Sequence, residues 1–128
     1  MLAAAGCTKQ TPTPVPTEDP TKVEAFITEL TTKNGCVIFG EATCDYCKKT
    51  KDFFKKEKVT YEYIGVDDQS TSPKGIDVYN ALIRMTKQNT LPNIWINSTF
   101  IGGYDTIQTL AKNNQLDQLL YDAGCFLW

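Results

Sequence analysis

CVIFGEATCDYC, residues 36–47, joins a short unbroken apolar run to two cysteines three positions apart. Five uncharged residues, Cys36 to Gly40, have the pattern of a strand buried on both faces. Residues 45 to 58 carry helix-forming lysines around Phe53 and Phe54 and predict a helix. A strand running through a turn into a helix puts Cys44 at the helix N-terminus and Cys47 one turn on, on the same face. Unpaired N–H groups and the helix macrodipole favour an anion at that end. Cys44 is therefore the expected thiolate nucleophile, and Cys47, expected to be more shielded, suits the resolving thiol.

Working outward, the hydrophobic period alternates between helix and strand. Val23, Phe26, Ile27 and Leu30 fall on one helical face, so residues 21–33 read as a helix with Asn34-Gly35 as its stop. TYEYIGV, residues 60–66, reads as a second strand. Residues 75–88 are helical, with Ile76, Tyr79, Leu82 and Ile83 on one side. Pro92 then opens the strand NIWIN, and Asn97-Ser98-Thr99 turns it into the partner strand TFIG. Gly102-Gly103 ends that strand, and Asp105 is the expected cap of a last helical region, 106–121. A βαβ unit followed by a hairpin predicts an α/β fold: a mixed four-stranded sheet flanked by helices on both faces.

The chain has 128 residues, which suits one domain, and 41% hydrophobic residues against 22% charged can build a core. No apolar run approaches the roughly 18 to 20 residues that span a bilayer. Thirteen basic against fifteen acidic residues are no signature of a nucleic-acid binder. Residues 1–20 read as a disordered tail and 21–128 as the domain, because TKQTPTPVPTEDPTK, residues 8–22, holds four prolines and little apolar surface. LAAAGC, ending at Cys7, looks like the attachment end of a bacterial lipoprotein signal but lacks the charged start and apolar stretch of one. The expected location is cytoplasmic, the alternative a membrane-anchored lipoprotein through Cys7.

Histidine is absent, which removes Ser-His-Asp and Cys-His catalysis and any His-ligated metal. Five cysteines, at 7, 36, 44, 47 and 125, leave one close pair and three isolated thiols. Zinc at Cys44 and Cys47 would need two more ligands from scattered residues, and an inert disulfide would leave an activated thiol without a use. Lys48 to Lys58 hold six lysines against Asp52 and Glu57, and Lys48 and Lys49 add to the positive field at Cys44. Asp45 opposes it.

These residues resemble the glutaredoxins over about residues 22–124. Three motifs in order carry the likeness: VIFGEATCDYC (37–47), Thr90-Leu91-Pro92, and Ile101-Gly102-Gly103-Tyr104-Asp105. The resemblance implies a thioredoxin-like fold and glutathione-dependent thiol–disulfide exchange through the CDYC dithiol. It implies catalysis by Cys44 and Cys47, and glutathione held by Tyr46, Gln88, the backbone of Leu91 beside a cis Pro92, Tyr104 and Asp105. Gln88 would take the glycine carboxylate, and Tyr104 with Asp105 the γ-glutamyl end. Glutathione is the implied co-substrate, with no metal required. Disulfide-containing or glutathionylated proteins are the implied partners of a monomer. The alternatives are a dimer carrying a [2Fe–2S] cluster through Cys44 and glutathione, and a relative reduced by thioredoxin reductase.

Two departures bear on that reading. Asp45 stands where the family has proline, which alters redox potential, and Glu41 stands where many members carry lysine, which weakens glutathione binding by repulsion. Trp95 and Phe39 are expected in the core. Cys36 and Cys125 read as small apolar bystanders, and Asn97-Ser98-Thr99 as turn residues despite matching a glycosylation pattern.

Overall fold

Asp19 starts the first helix, α1 (Pro20–Lys33): its carboxylate accepts a hydrogen bond from the Thr21 N–H at 3.0 Å, and proline follows at the first helical position. The computed structural model describes residues 18–126. Residues 1–17 of the expected tail, with Cys7, and the terminal Trp128 therefore lie outside the described residues, while Asp19 and Pro20, expected in the tail, open α1. After α1 come β1 (Cys36–Gly40), α2 (Asp45–Lys56), β2 (Glu62–Gly65), α3 (Gly75–Thr86), β3 (Asn93–Ile96) and β4 (Thr99–Gly102). The chain then runs through α4 (Tyr104–Lys112) and α5 (Leu116–Asp122).

The sheet has the order β2-β1-β3-β4. β1 pairs parallel with β2, the α2 crossover lying between them in sequence, and antiparallel with β3, which turns into β4. A central strand with layers on both faces has no side for polar residues, and all five β1 residues are buried. Alternation divides them: Val37 and Phe39 join Val23 and Ile27 of α1 and Val78 and Leu82 of α3, while Cys36 and Ile38 join Phe54, Ile107, Leu116 and Leu120. Each such fully buried aliphatic or aromatic side chain contributes about 1.5–3 kcal/mol. Trp95 and Phe39 are in the core as expected. Asn97 and Ser98 form the β3–β4 turn at φ 54° and 66°, the pair of positive values that a two-residue hairpin with right-twisted strands requires.

The C-terminal region departs from expectation. One helix over 106–121 is instead two, α4 and α5, broken where Asn114 adopts φ 58°. The break re-aims the chain so that Leu116 and Leu120, one turn apart, both enter the core. Gly103, in extended conformation, occupies the cap position of α4, and Asp105 lies in its first turn, where a carboxylate favours the helix dipole without capping it. The end of the chain is tied back: the Thr60 N–H donates to the Cys125 carbonyl at 2.7 Å, and Val59 pairs with Phe126. Among the described residues no helix is long and apolar enough to cross a membrane.

Candidate active site

Cys44 is the cap residue of α2, with extended backbone at φ −87° and ψ 113°. Its sulfur takes the place that a serine or aspartate oxygen fills at other helix starts: the Cys47 N–H donates to Cys44 Sγ at 3.2 Å. On its other side the thiol faces the Leu91 carbonyl at 3.6 Å. A sulfur that accepts a helix N-terminal N–H is one that the same N–H holds more firmly as a thiolate. The backbone beneath is fixed by a hydrogen bond from the Cys44 N–H to the Glu41 carbonyl at 3.2 Å and by Thr50, whose hydroxyl donates to the Tyr46 carbonyl at 2.8 Å.

Cys47 lies one turn on, as the spacing required, but shielding does not tell the two thiols apart. Both have 0% exposure. Chain position and the hydrogen bond to Cys44 Sγ distinguish them, not burial. The Leu91 segment borders Cys44 on one side, and Tyr46, two residues on, is half-buried.

Leu91-Pro92 is a cis peptide, as the motif implied. The loop before β3 is held from below by a polar cluster. The Gln88 side-chain amide donates to the Thr90 carbonyl at 2.9 Å and to the Pro92 carbonyl at 3.1 Å. Thr86 Oγ1 accepts from the Gln88 N–H at 3.2 Å and from the buried Asn93 at 3.3 Å, and the Asn93 oxygen in turn accepts the Trp95 indole N–H at 2.7 Å. Tyr79 closes the loop, its hydroxyl donating to the Asn89 carbonyl at 2.7 Å. Gln88 therefore has a part in ordering the loop that the motif did not imply. Thr86 and Asn93 went unnoticed in the sequence. An asparagine inside the apolar run NIWI was the available signal, since a buried amide needs partners.

Tyr46 and Tyr104 come from different helices yet meet, ring centroids 5.6 Å apart, and the Lys49 ammonium lies 4.9 Å over the Tyr46 ring. Asp105 follows at the exposed start of α4, so Cys44, Tyr46, Leu91 and Tyr104 come together beyond the end of β1 and the start of β3, with Asp105 beside them. Asp45 is exposed in the first turn of α2. Glu41 is not on that surface: it is 5% exposed, and its charge, after burial, pushes the titration of Tyr79 upward. Cys36 and Cys125 are buried in the core, but they touch. The interaction between the two thiols, with burial and mutual repulsion, holds Cys36 protonated well above the ordinary thiol range.

A cysteine capping a helix start, a second cysteine one turn on and a cis-proline loop against the first define a thiol–disulfide oxidoreductase of the thioredoxin fold. The glutaredoxin family model matches residues 29–101. A glutaredoxin of Vernicia fordii is 33% identical over 96 residues, covering 75% of this chain and 89% of that protein. The mitochondrial glutaredoxin-2 of Homo sapiens is 34% identical over 101 residues, 79% of this chain and 58% of that protein. In structure, a buckwheat glutaredoxin–glutathione complex superposes with a TM-score of 0.80 at 28% identity, covering 87% of this chain and 99% of that one. The chain belongs to the glutaredoxin family of glutathione-dependent oxidoreductases.

Proposed function

We propose that the chain is a dithiol glutaredoxin, reducing protein disulfides and glutathione mixed disulfides through Cys44 and Cys47. The observation that carries this is the hydrogen bond from the Cys47 N–H to Cys44 Sγ at a helix start. Thiolate Cys44 attacks a substrate sulfur; one S–S bond forms to Cys44 as the substrate's S–S bond breaks, and the leaving thiolate takes the electron pair. Cys47 then attacks Cys44 and releases the second half of the substrate, or glutathione resolves the intermediate directly. Glutathione restores the reduced pair.

Glutathione is the co-substrate in this reading, supported by the buckwheat relative's complex with it. The tripeptide would run along the Leu91-Pro92 backbone in strand-like pairing, between Tyr46 and the Tyr104–Asp105 start of α4. Gln88 would shape that edge by holding the loop. Glu41, being buried, presents no exposed carboxylate on the surface where the ligand would lie.

The test is turnover of the mixed disulfide of hydroxyethyl disulfide and glutathione, coupled to glutathione reductase. Activity is expected in the wild type, lost in Cys44→Ser and partly kept in Cys47→Ser. A folded wild type that is silent here but active with thioredoxin reductase would overturn the glutathione-linked reading. Visible absorbance after anaerobic purification would turn it toward the cluster-carrying dimer.

A further inference from the structure

Gly40 ends β1 beneath α2, and two reactive groups share the space its missing side chain leaves. A methyl carbon built there would lie 2.7 Å from Cys47 Sγ and 3.0 Å from Tyr63 Oη. Tyr63 reaches this spot from β2, its ring covered by the Lys51 ammonium 4.1 Å from the centroid. Its hydroxyl is buried and has no hydrogen-bond partner. A buried phenol O–H without an acceptor weakens a fold, so an unspent one beside a sulfur calls for a reason.

The groups facing it supply one. Cys47 and Lys51 approach from α2, Glu41 and Cys44 from the segment after β1, and Asp67 from the turn after β2. Burial, and after it the negative charges of Cys47, Asp67, Cys44 and Glu41, push the phenol's titration far above its usual range. It stays protonated through neutral pH and can only donate. The Asp67 carboxylate is engaged by the Ala42 N–H at 3.1 Å.

We propose that Tyr63 is the hydrogen-bond donor that stabilises the Cys47 thiolate. The inference rests on the dithiol function above. When a glutathione thiolate attacks Cys44 Sγ of the oxidised pair, a bond forms between those two sulfurs and the Cys44–Cys47 bond breaks. The electron pair and negative charge pass to Cys47 Sγ. Tyr63 meets that charge with its O–H, keeping the proton on oxygen, and holds the same thiolate before it attacks a substrate-bound Cys44. Gly40 makes the meeting possible, because any side chain there would occupy the gap.

The test is Tyr63→Phe, which removes only the oxygen. Full-length wild type and variant are equilibrated in glutathione redox buffers and quenched with acid, and the Cys44–Cys47 couple is read by mass spectrometry. In buffers alkaline enough to ionise Cys47, the variant is expected to shift about tenfold toward the disulfide, because its reduced form has then lost a hydrogen bond to a charged group. In the disulfide form, where Cys47 carries no charge and the hydroxyl has no acceptor, its urea midpoint is expected to be no lower than that of the wild type. An unmoved redox equilibrium would overturn the donor role. So would a lower urea midpoint of the oxidised variant, which would show the hydroxyl already spent elsewhere. A wild type with no Cys44–Cys47 couple in any buffer would instead sink the dithiol reading, and the donor role with it.

Discussion

Gln88 shows how a residue's place in a motif and its place in a structure can differ. Its amide donates twice to the loop that carries Pro92, and each such bond is worth about 0.5–1.5 kcal/mol. Gln88→Ala is expected to lower the stability of the ligand-free protein by about 1–3 kcal/mol, measured by urea unfolding without glutathione. A contact made only to ligand would leave that stability alone and raise only the KM for glutathione. The two cysteines outside the site teach a similar lesson. Cys36 and Cys125 looked like isolated thiols because 88 positions of sequence separate them, and only the tying of the chain end to Thr60 brings their sulfurs together. The CxxC pair was legible because both members belong to one helical turn. The polar cluster of Thr86, Asn93 and Trp95 was not, since it depends on how α3 and β3 meet.

Among the elements, those that face one environment were the easiest to read. β1 was plain from five apolar residues, α1 from its 3.6-residue period. The split between α4 and α5 was missed because the break carries neither glycine nor proline; Asn113-Asn114, with asparagine's tolerance of positive φ, was its only mark. Element junctions also set the tightest constraints. Gly75 opens α3 against the end of β2, where an added Cβ would lie 2.2 Å from the Val66 carbonyl oxygen. Backbone cannot yield as a flexible side chain does. Gly75→Ala is expected to cost about 1–3 kcal/mol and to loosen the α3-anchored Pro92 loop with it. The check is the urea midpoint together with KM for glutathione, and unchanged values would show that α3 can shift freely.

For the whole molecule, burial of acidic protons sets the response to alkali. Tyr61, Tyr63 and Tyr79 are each raised above the ordinary 10.0, first by burial and then by nearby acidic groups. In each case the native state keeps a proton that the unfolded chain releases. This stabilisation is complete below the unfolded values and is lost as pH rises through them toward the folded ones. The urea midpoint is therefore expected to fall between about pH 9 and pH 11, and Tyr63→Phe and Tyr79→Phe to make the fall shallower. A midpoint that stays level across that range would contradict it.

The central claim is that Cys44 is the sulfur glutathione engages. The most direct measurement is to incubate full-length Cys47→Ser with oxidised glutathione, quench with acid and map the product by mass spectrometry. With the resolving thiol gone, the mixed disulfide has no partner inside the site to release it. One glutathionyl group on Cys44 is the predicted result. No adduct, or an adduct on Cys36 or Cys125 with Cys44 still free, would contradict the account.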